Sequence, residues 1–452
     1  RRQPETEPMN TTTVPTAPGA LPYVGHAITL LRDPLAFLRS LPSYGDLVTI
    51  RIGPFRGLVV CDAELTRRLL LDDKTFDKGG PLFNRMREIL GNGLAVCPHS
   101  DHRRNRRRIQ PAFHQARITG YASVMTHEAT IRTASWHDGQ ELDVMDEMMG
   151  MAARTLLRCM FRTELSTTTL DELVADITTV MDGIYRRAIV PAGISALPTP
   201  ANRRYERARA RLRHTLGALA AARSAEDGHQ DLLSILLSEF NDNEIIDELV
   251  TFLIGGTDTV ASVLSWTLHL LAQHPSALQN VHTELENALG ARPPAPEDLP
   301  VLQATHRVIT ETLRLYPPGW LLMRATTTDT SLGTHDLPAG TTVLYSPYLL
   351  HHHPDLHHDA NAFRPERWTQ EYIASIPRGA FVPFGAGARK CIGDTFAITE
   401  CVLALATILT HWDITPVPNR SVRAGAGLAL TPRGLILRTT ARRNSGLMHP
   451  SP

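Results

Sequence analysis

Phe384-Gly385-Ala386-Gly387-Ala388-Arg389-Lys390-Cys391-Ile392-Gly393 sets one cysteine in a glycine-punctuated loop that runs straight into an apolar helix starting near Asp394. Gly385, Gly387 and Gly393 allow positive φ and let a flat ligand approach the backbone closely. Arg389 and the N-terminus of the following helix both favour the thiolate over the thiol. A thiolate presented alone in this way suits the axial position of a haem iron. The alternative is a small buried hydrophobe, the usual role of a lone cysteine. The other cysteines, Cys61, Cys97, Cys159 and Cys401, form no CxxC pair, which argues against a zinc site or a disulfide framework and for a reducing compartment.

Upstream, an apolar-periodic stretch starts at Asn241-Asp242-Asn243, whose side chains suit an N-cap, and runs to His274 before Pro275. Its ~30 residues would make a rod about 45 Å long. The middle reads Gly255-Gly256-Thr257-Asp258-Thr259, and each glycine there costs about 1 kcal/mol relative to alanine. Two glycines leave a groove for a small ligand and a water, Thr259 offers a hydroxyl to a reacting oxygen, and Asp258 can relay protons from solvent. A packing kink with a capping Asp and Thr is the alternative. Further along, Glu311 and Arg314 stand at i and i+3, ordinarily a weak surface pair. His102 and Arg106 share a helix face, and Arg103, Arg104, Arg107 and Arg108 make that segment strongly basic. The basic run reads as a docking surface for an acidic electron donor, against a solvated face or a nucleic-acid patch.

The pattern F-x-x-G-x-R-x-C-x-G at 384–393 resembles the haem-binding loop of the cytochrome P450 family, and 255–259 is similar to that family's oxygen-activation motif [A/G]-G-x-[D/E]-T. The resemblance runs from Pro18 to Leu437 in the family's order. It implies a mainly α fold with a minor β region, with heme b (iron protoporphyrin IX) between the long central helix and the cysteine loop. By the same resemblance Cys391 is the iron ligand, Phe384 shields its sulfur, and Gly255, Gly256 and Gly393 approach the cofactor. Asp258 and Thr259 would manage protons, and His102, Arg106, Arg324 and Arg389 would hold the propionates. Arg367, in Phe363-Arg364-Pro365-Glu366-Arg367-Trp368, would join Glu311 and Arg314 in a buried network behind the thiolate loop. The implied reaction inserts one oxygen atom of O2 into a C–H bond, with electrons from a separate ferredoxin and ferredoxin reductase because no flavin-binding segment is present. Rival classes are a peroxide-using or isomerising enzyme of the same fold and a haem-based sensor.

Lys+Arg and Asp+Glu balance at 46 each, so no global field points to nucleic acid or an anionic membrane. Lysine occurs only at Lys74, Lys78 and Lys390, read as codon bias. No stretch approaches the ~18 apolar residues of a membrane span. We therefore expect a cytoplasmic monomer without a membrane anchor, with a disordered segment over 1–17 in which Met9 is a candidate start, one catalytic domain over 18–440 and a flexible tail over 441–452. The histidines at 351–353 and 357–358 read as a solvated loop broken by Pro354. Expected pocket segments are 80–94, 175–190, 251–259, 319–323 and 426–428, with Phe252, Leu253, Leu321, Leu322 and Leu428 shaping a mostly apolar site. Tyr185-Arg186-Arg187-Ala188-Ile189-Val190-Pro191 and Pro200-Ala201-Asn202-Arg203-Arg204 resemble bacterial sesquiterpene oxidases, the pentalenene and epi-isozizaene oxygenases among them. A small hydrophobic substrate such as a sesquiterpene follows, with polyketide or macrolactone tailoring as the alternative.

Overall fold

The computed structural model describes residues 14–161, 166–189, 197–223 and 232–442. The helices include α1 (Ala27–Arg32), α2 (His99–Ile109), α3 (Gln115–Ala134), α4 (Val144–Phe161), α5 (Thr167–Ile189), α6 (Pro200–Ala221), α7 (Asp242–Gln273), α8 (Gln303–Leu315) and α9 (Asp394–His411), of which α2, α4, α7, α8 and α9 line the site. Helix α7 starts on a reciprocal cap: Glu244 N–H donates to Asn241 Oδ1 at 3.1 Å, and Asn241 N–H donates to Glu244 Oε2 at 3.2 Å. Its 32 residues span about 48 Å. It is apolar almost all round because α4, α6, α8 and α9 all pack against it.

That burial corrects one expectation. Both α7 and α9 are long and apolar enough to cross a membrane by length and composition, although no uninterrupted apolar run announces them. Their apolar windows are 83% and 72% buried inside the protein, which marks them as core helices.

A five-stranded sheet holds β1 (Leu47–Ile52), β2 (Phe55–Val60), β3 (Phe76–Asp77), β4 (Leu322–Thr326) and β5 (Thr342–Tyr345) in the order β1-β2-β5-β4-β3. Only β2 and β5 pair in parallel; the other neighbours are antiparallel. Strands β1 and β2 form a hairpin that closes at Ile52 and Phe55. Strand β4 forms by pairing with β5 and with β3, which is some 250 residues away in the chain.

Two further expectations fail. Residues 15–17 do not belong to a disordered segment: Thr49 N–H donates to Pro15 O at 2.7 Å, Ala17 N–H donates to Thr49 O at 2.9 Å, and Ala17 is buried. Residues 1–13 and 443–452 lie outside the described residues, as do 190–196 and the side chains of 185–189 within the segment compared with sesquiterpene oxidases. Nor are the histidines solvated. His351, His352 and His357 are buried, and only His358 is exposed. Val382 N–H donates to His351 Nε2 at 3.0 Å, and the other ring nitrogen lies 3.2 Å from Arg314 O. His357 lies 2.7 Å from the Tyr372 hydroxyl and 3.1 Å from Ala380 O. His351 and His357 hold the segment leading into the cysteine loop at Val382 and Ala380, and burial keeps these rings neutral: His357 is pushed down to about 4 and His352 to about 3.

Candidate active site

Residues 384–391 close on themselves through Cys391 N–H donating to Phe384 O at 2.9 Å. Gly385 and Gly387 adopt φ of 69° and 68°, and a Cβ on Gly387 would lie 2.4 Å from Leu70 O. Gly393 does not share this role: with φ −97° it is the N-cap of α9. The Cys391 thiol is exposed to an interior cavity of about 390 Å³. Enclosure raises its pKa; the Gly393 N–H, Arg106 and Lys78 pull the other way. Arg389 does not assist as expected, because its guanidinium is bound to Asp73 at 3.1 Å, Asp77 at 2.6 Å and Cys97 O at 2.8 Å.

Across the cavity runs α7, presenting Thr251, Phe252, Gly255, Thr259 and Val263 at helical spacing. The paired glycines have different functions. A Cβ at Gly255 would meet nothing within 4 Å, so this residue opens the groove. One at Gly256 would lie 2.8 Å from Leu156 Cδ2, so this residue lets α4 approach. Thr259 Oγ1 donates to Gly255 O at 2.8 Å, leaving its oxygen free to accept at the groove. Asp258 is buried and does not line the cavity; burial and the nearby Asp182 of α5 raise its pKa to about 6.

Of the expected shaping residues, Phe252 and Leu322 line the cavity and Leu253, Leu321 and Leu428 do not. Leu253 is rotated away from Phe252 around α7 into the core. Leu321 packs toward the sheet, and Leu428 packs on the outside of the central core. Phe83 and Leu94 represent segment 80–94, whereas no described residue of 175–189 or 426–428 contributes.

The opposite wall is cationic. His102, Arg106, Arg324 and Arg389 all reach the cavity, as the sequence suggested, and so does Lys78, which it did not. Arg324 is buried over the Tyr345 ring at 5.7 Å, and its Nε has no hydrogen-bond partner. Lys78 donates to Ala95 O at 2.7 Å, and burial, with Arg324 and Arg389 nearby, pushes it down to about 7. His102 is pushed down to about 3 by burial and by the nearby Arg389, Lys78 and Arg106. Arg389 is already compensated by its two aspartates, whereas buried Arg324 and half-buried Lys78 and Arg106 have no carboxylate partner among the described residues. An orphaned guanidinium N–H and a depressed lysine are what a dianionic group would satisfy. Together with a facing thiol and an open Gly255, the residues fit a flat, apolar, iron-bearing group with two carboxylates. The clue to Lys78 in the sequence was the scarcity of lysine itself.

Behind the loop, Glu311 and Arg314 are fully buried. Glu311 accepts from Arg314 Nε at 2.9 Å and Nη2 at 2.7 Å, from Arg367 Nε at 3.1 Å, from Trp368 Nε1 at 2.9 Å and from Arg364 N–H at 3.0 Å. Arg314 also donates to His351 O, Ala360 O and Ala362 O. The expected three-charge network is present, extended by Trp368 and by backbone carbonyls that i, i+3 spacing cannot reveal. The basic run divides. Arg104 and Arg108 pair with Glu244 and Glu239, whereas Arg103 and Arg107 line a surface hollow beside Gly387 and Ala388.

A family model described as Cytochrome P450 matches residues 15–437. The chain is 45% identical over 420 residues to a cyclooctat-9-en-7-ol 5-monooxygenase of Streptomyces melanosporofaciens, covering 91% of each chain. It is 43% identical to a pentalenene oxygenase of Streptomyces avermitilis, covering 94% of this chain and 97% of that protein. It is 41% identical to a cyclooctatin synthase of Streptomyces melanosporofaciens, covering 92% and 93%.

Proposed function

The chain belongs to the cytochrome P450 family, and we propose that it is a monooxygenase acting on a terpenoid, with residues 18–440 as its catalytic domain. Heme b is the family's cofactor; bound here, it supplies the activation of O2 from which one oxygen atom enters a C–H bond. The chain's own residues supply the rest. Cys391 would ligate the iron, while Arg324, Lys78, His102 and Arg106 would orient the propionates. Phe384 covers the thiolate loop, and apolar walls at Phe252, Phe83 and Leu322 exclude water from the reacting carbon. Thr259 can hold a water at the groove left by Gly255 and hand on a proton there. With its pKa raised to about 6, Asp258 exchanges protons readily near neutrality from the α5 side of α7.

One observation supports this reading above the rest: Cys391, Gly255 and Thr259 line a single apolar cavity whose charged groups gather on one wall. The terpenoid class draws its support from the relatives, one named for oxidising a cyclooctatenol and another for pentalenene. An apolar ligand is held there mainly by area, at about 25 cal/mol per Å² removed from water. Electrons would come from a ferredoxin and its reductase in the cytoplasm, docking over Arg103 and Arg107. The test is titration of the ferric enzyme with sesquiterpene and diterpene hydrocarbons and alcohols, followed by turnover with a surrogate ferredoxin system. At least one terpenoid should drive a low-spin to high-spin shift and yield a product 16 mass units heavier. A shift by a macrolactone with none by any terpenoid would replace the reading with polyketide tailoring.

A further inference from the structure

Helix α1 reads Ala27-Ile28-Thr29-Leu30-Leu31-Arg32 and has no buried residue. In the turn before it Gly25 and His26 are buried but residues 21–24 are exposed, so that across turn and helix Tyr23 is 97% exposed, Leu31 72%, Leu21 48%, Ile28 44% and Val24 41%. The β1–β2 hairpin adjoins this turn: Gly53 N–H donates to Val24 O at 3.1 Å, His26 N–H donates to Arg51 O at 2.7 Å, and Ile52 at the tip is also exposed. Tyr23 has φ 63°, unusual for a bulky residue, and its side chain is almost fully exposed. Among the described residues the hydrophobic core gives these side chains no partner.

The charges around them are one-sided. Residues 14–32 and 47–60 contain no Asp or Glu, although the whole chain balances at 46 of each sign. Arg32, Arg51 and Arg56 are exposed, and their guanidinium groups have no hydrogen bond or ion pair among the described residues. Arg51 and Arg56 are direct cross-strand partners, a like-charge pairing that destabilises a hairpin unless an anion neutralises it. Asp33, which follows α1, is occupied in accepting Ala36 N–H at 2.9 Å.

We propose that this face is a peripheral docking surface for an anionic phospholipid bilayer. The Tyr23 ring and the Leu21, Ile28 and Leu31 side chains would enter the boundary between headgroups and acyl chains, with Arg32, Arg51 and Arg56 at the phosphates. A second copy of the chain fits worse, because twofold pairing would face these arginines against their equivalents with no carboxylate between them.

The experiment is co-sedimentation of the full-length holoenzyme with vesicles of phosphatidylcholine alone, and with about one third phosphatidylglycerol. Expected is binding to the anionic vesicles that weakens as ionic strength rises past about 0.1 M. Tyr23→Asn combined with Leu31→Ser should lower that binding by at least roughly tenfold. Arg51→Gln with Arg56→Gln should lower it by about fivefold per charge, without effect on neutral vesicles. An unchanged ferrous-CO spectrum in each variant confirms an intact fold. Absence of binding to anionic vesicles, or equal binding by wild type and both variants, overturns the proposal. So does a concentration-dependent dimer in sedimentation velocity that Leu31→Ser abolishes, which would assign the face to a second copy.

Discussion

Glu311→Gln replaces one of two buried acceptor oxygens with an amide NH2 and removes the one carboxylate that, among the described residues, balances Arg314 and Arg367. Glu311 receives five N–H groups, from Arg314 twice and from Arg367, Trp368 and Arg364 once each. The glutamine can meet those at one oxygen and must present donors to donors at the other. Removing one partner of a buried ion pair costs about 3–5 kcal/mol, because the remaining charge stays desolvated. Unfolding entropy near 2.1 cal/mol/K per residue makes a chain of this size lose about 1 °C per kcal/mol, so Tm should fall by about 3–5 °C. Haem retention should suffer as well, since Arg314 also holds the His351, Ala360 and Ala362 carbonyls of the segment behind the cysteine loop. The assay pairs thermal unfolding with the haem-to-protein ratio after gel filtration. Glu366→Gln is the control: among the described residues Glu366 pairs with exposed Arg364 alone, and such pairs contribute under about 1 kcal/mol. If Glu311→Gln matches Glu366→Gln in both Tm and haem content, the argument that the network locks the loop is wrong.

Cys391→Ser should abolish the red-shifted Soret band of the ferrous-CO form, and persistence of that band would remove Cys391 as the ligand. Thr259→Ala should leave the substrate-induced spin shift intact while product formed per NAD(P)H oxidised drops several-fold; unchanged coupling would make Thr259 a structural residue that only caps Gly255 O. Acid should destabilise the fold through His352 and His357, which are held neutral with pKa values of about 3 and about 4, below the ordinary 6.5. Because the unfolded chain binds protons that the folded one refuses, the stability they contribute is present above pH 6.5 and lost as pH falls toward 4, by up to about 1.4 kcal/mol per pH unit per group; a flat denaturant midpoint from pH 7 to 5 would contradict this. Charge reversal at Arg103 and Arg107 should slow reduction by a ferredoxin in stopped flow, whereas reversal at Arg104 and Arg108, already paired with Glu244 and Glu239, should slow it less; equal effects would mean that the hollow beside Gly387 is not the docking point.

The features legible in the sequence were those whose chemistry is contiguous or repeats at helical spacing. Cys391 between turn-forming glycines, the Gly255 to Thr259 run inside an apolar period, and the cap at Asn241 each announce themselves within a few residues. Local backbone sterics and helix geometry act over that range, so such motifs survive without tertiary information. What the tertiary structure decided was which face each residue presents and what lies opposite it. Leu253 and Phe252 are neighbours with equal claims in the sequence, yet α7 turns one into the core and the other into the cavity. Arg389 read as a cation for a propionate until Asp73 and Asp77, more than 300 residues earlier, were folded against it. Lys78 became a cavity cation, and the histidines of 351–357 became buried supports of the cysteine loop, for the same reason: burial and long-range partners set whether a polar group is a free charge, a satisfied hydrogen bond or an unmet one, and neither can be read from spacing along the chain.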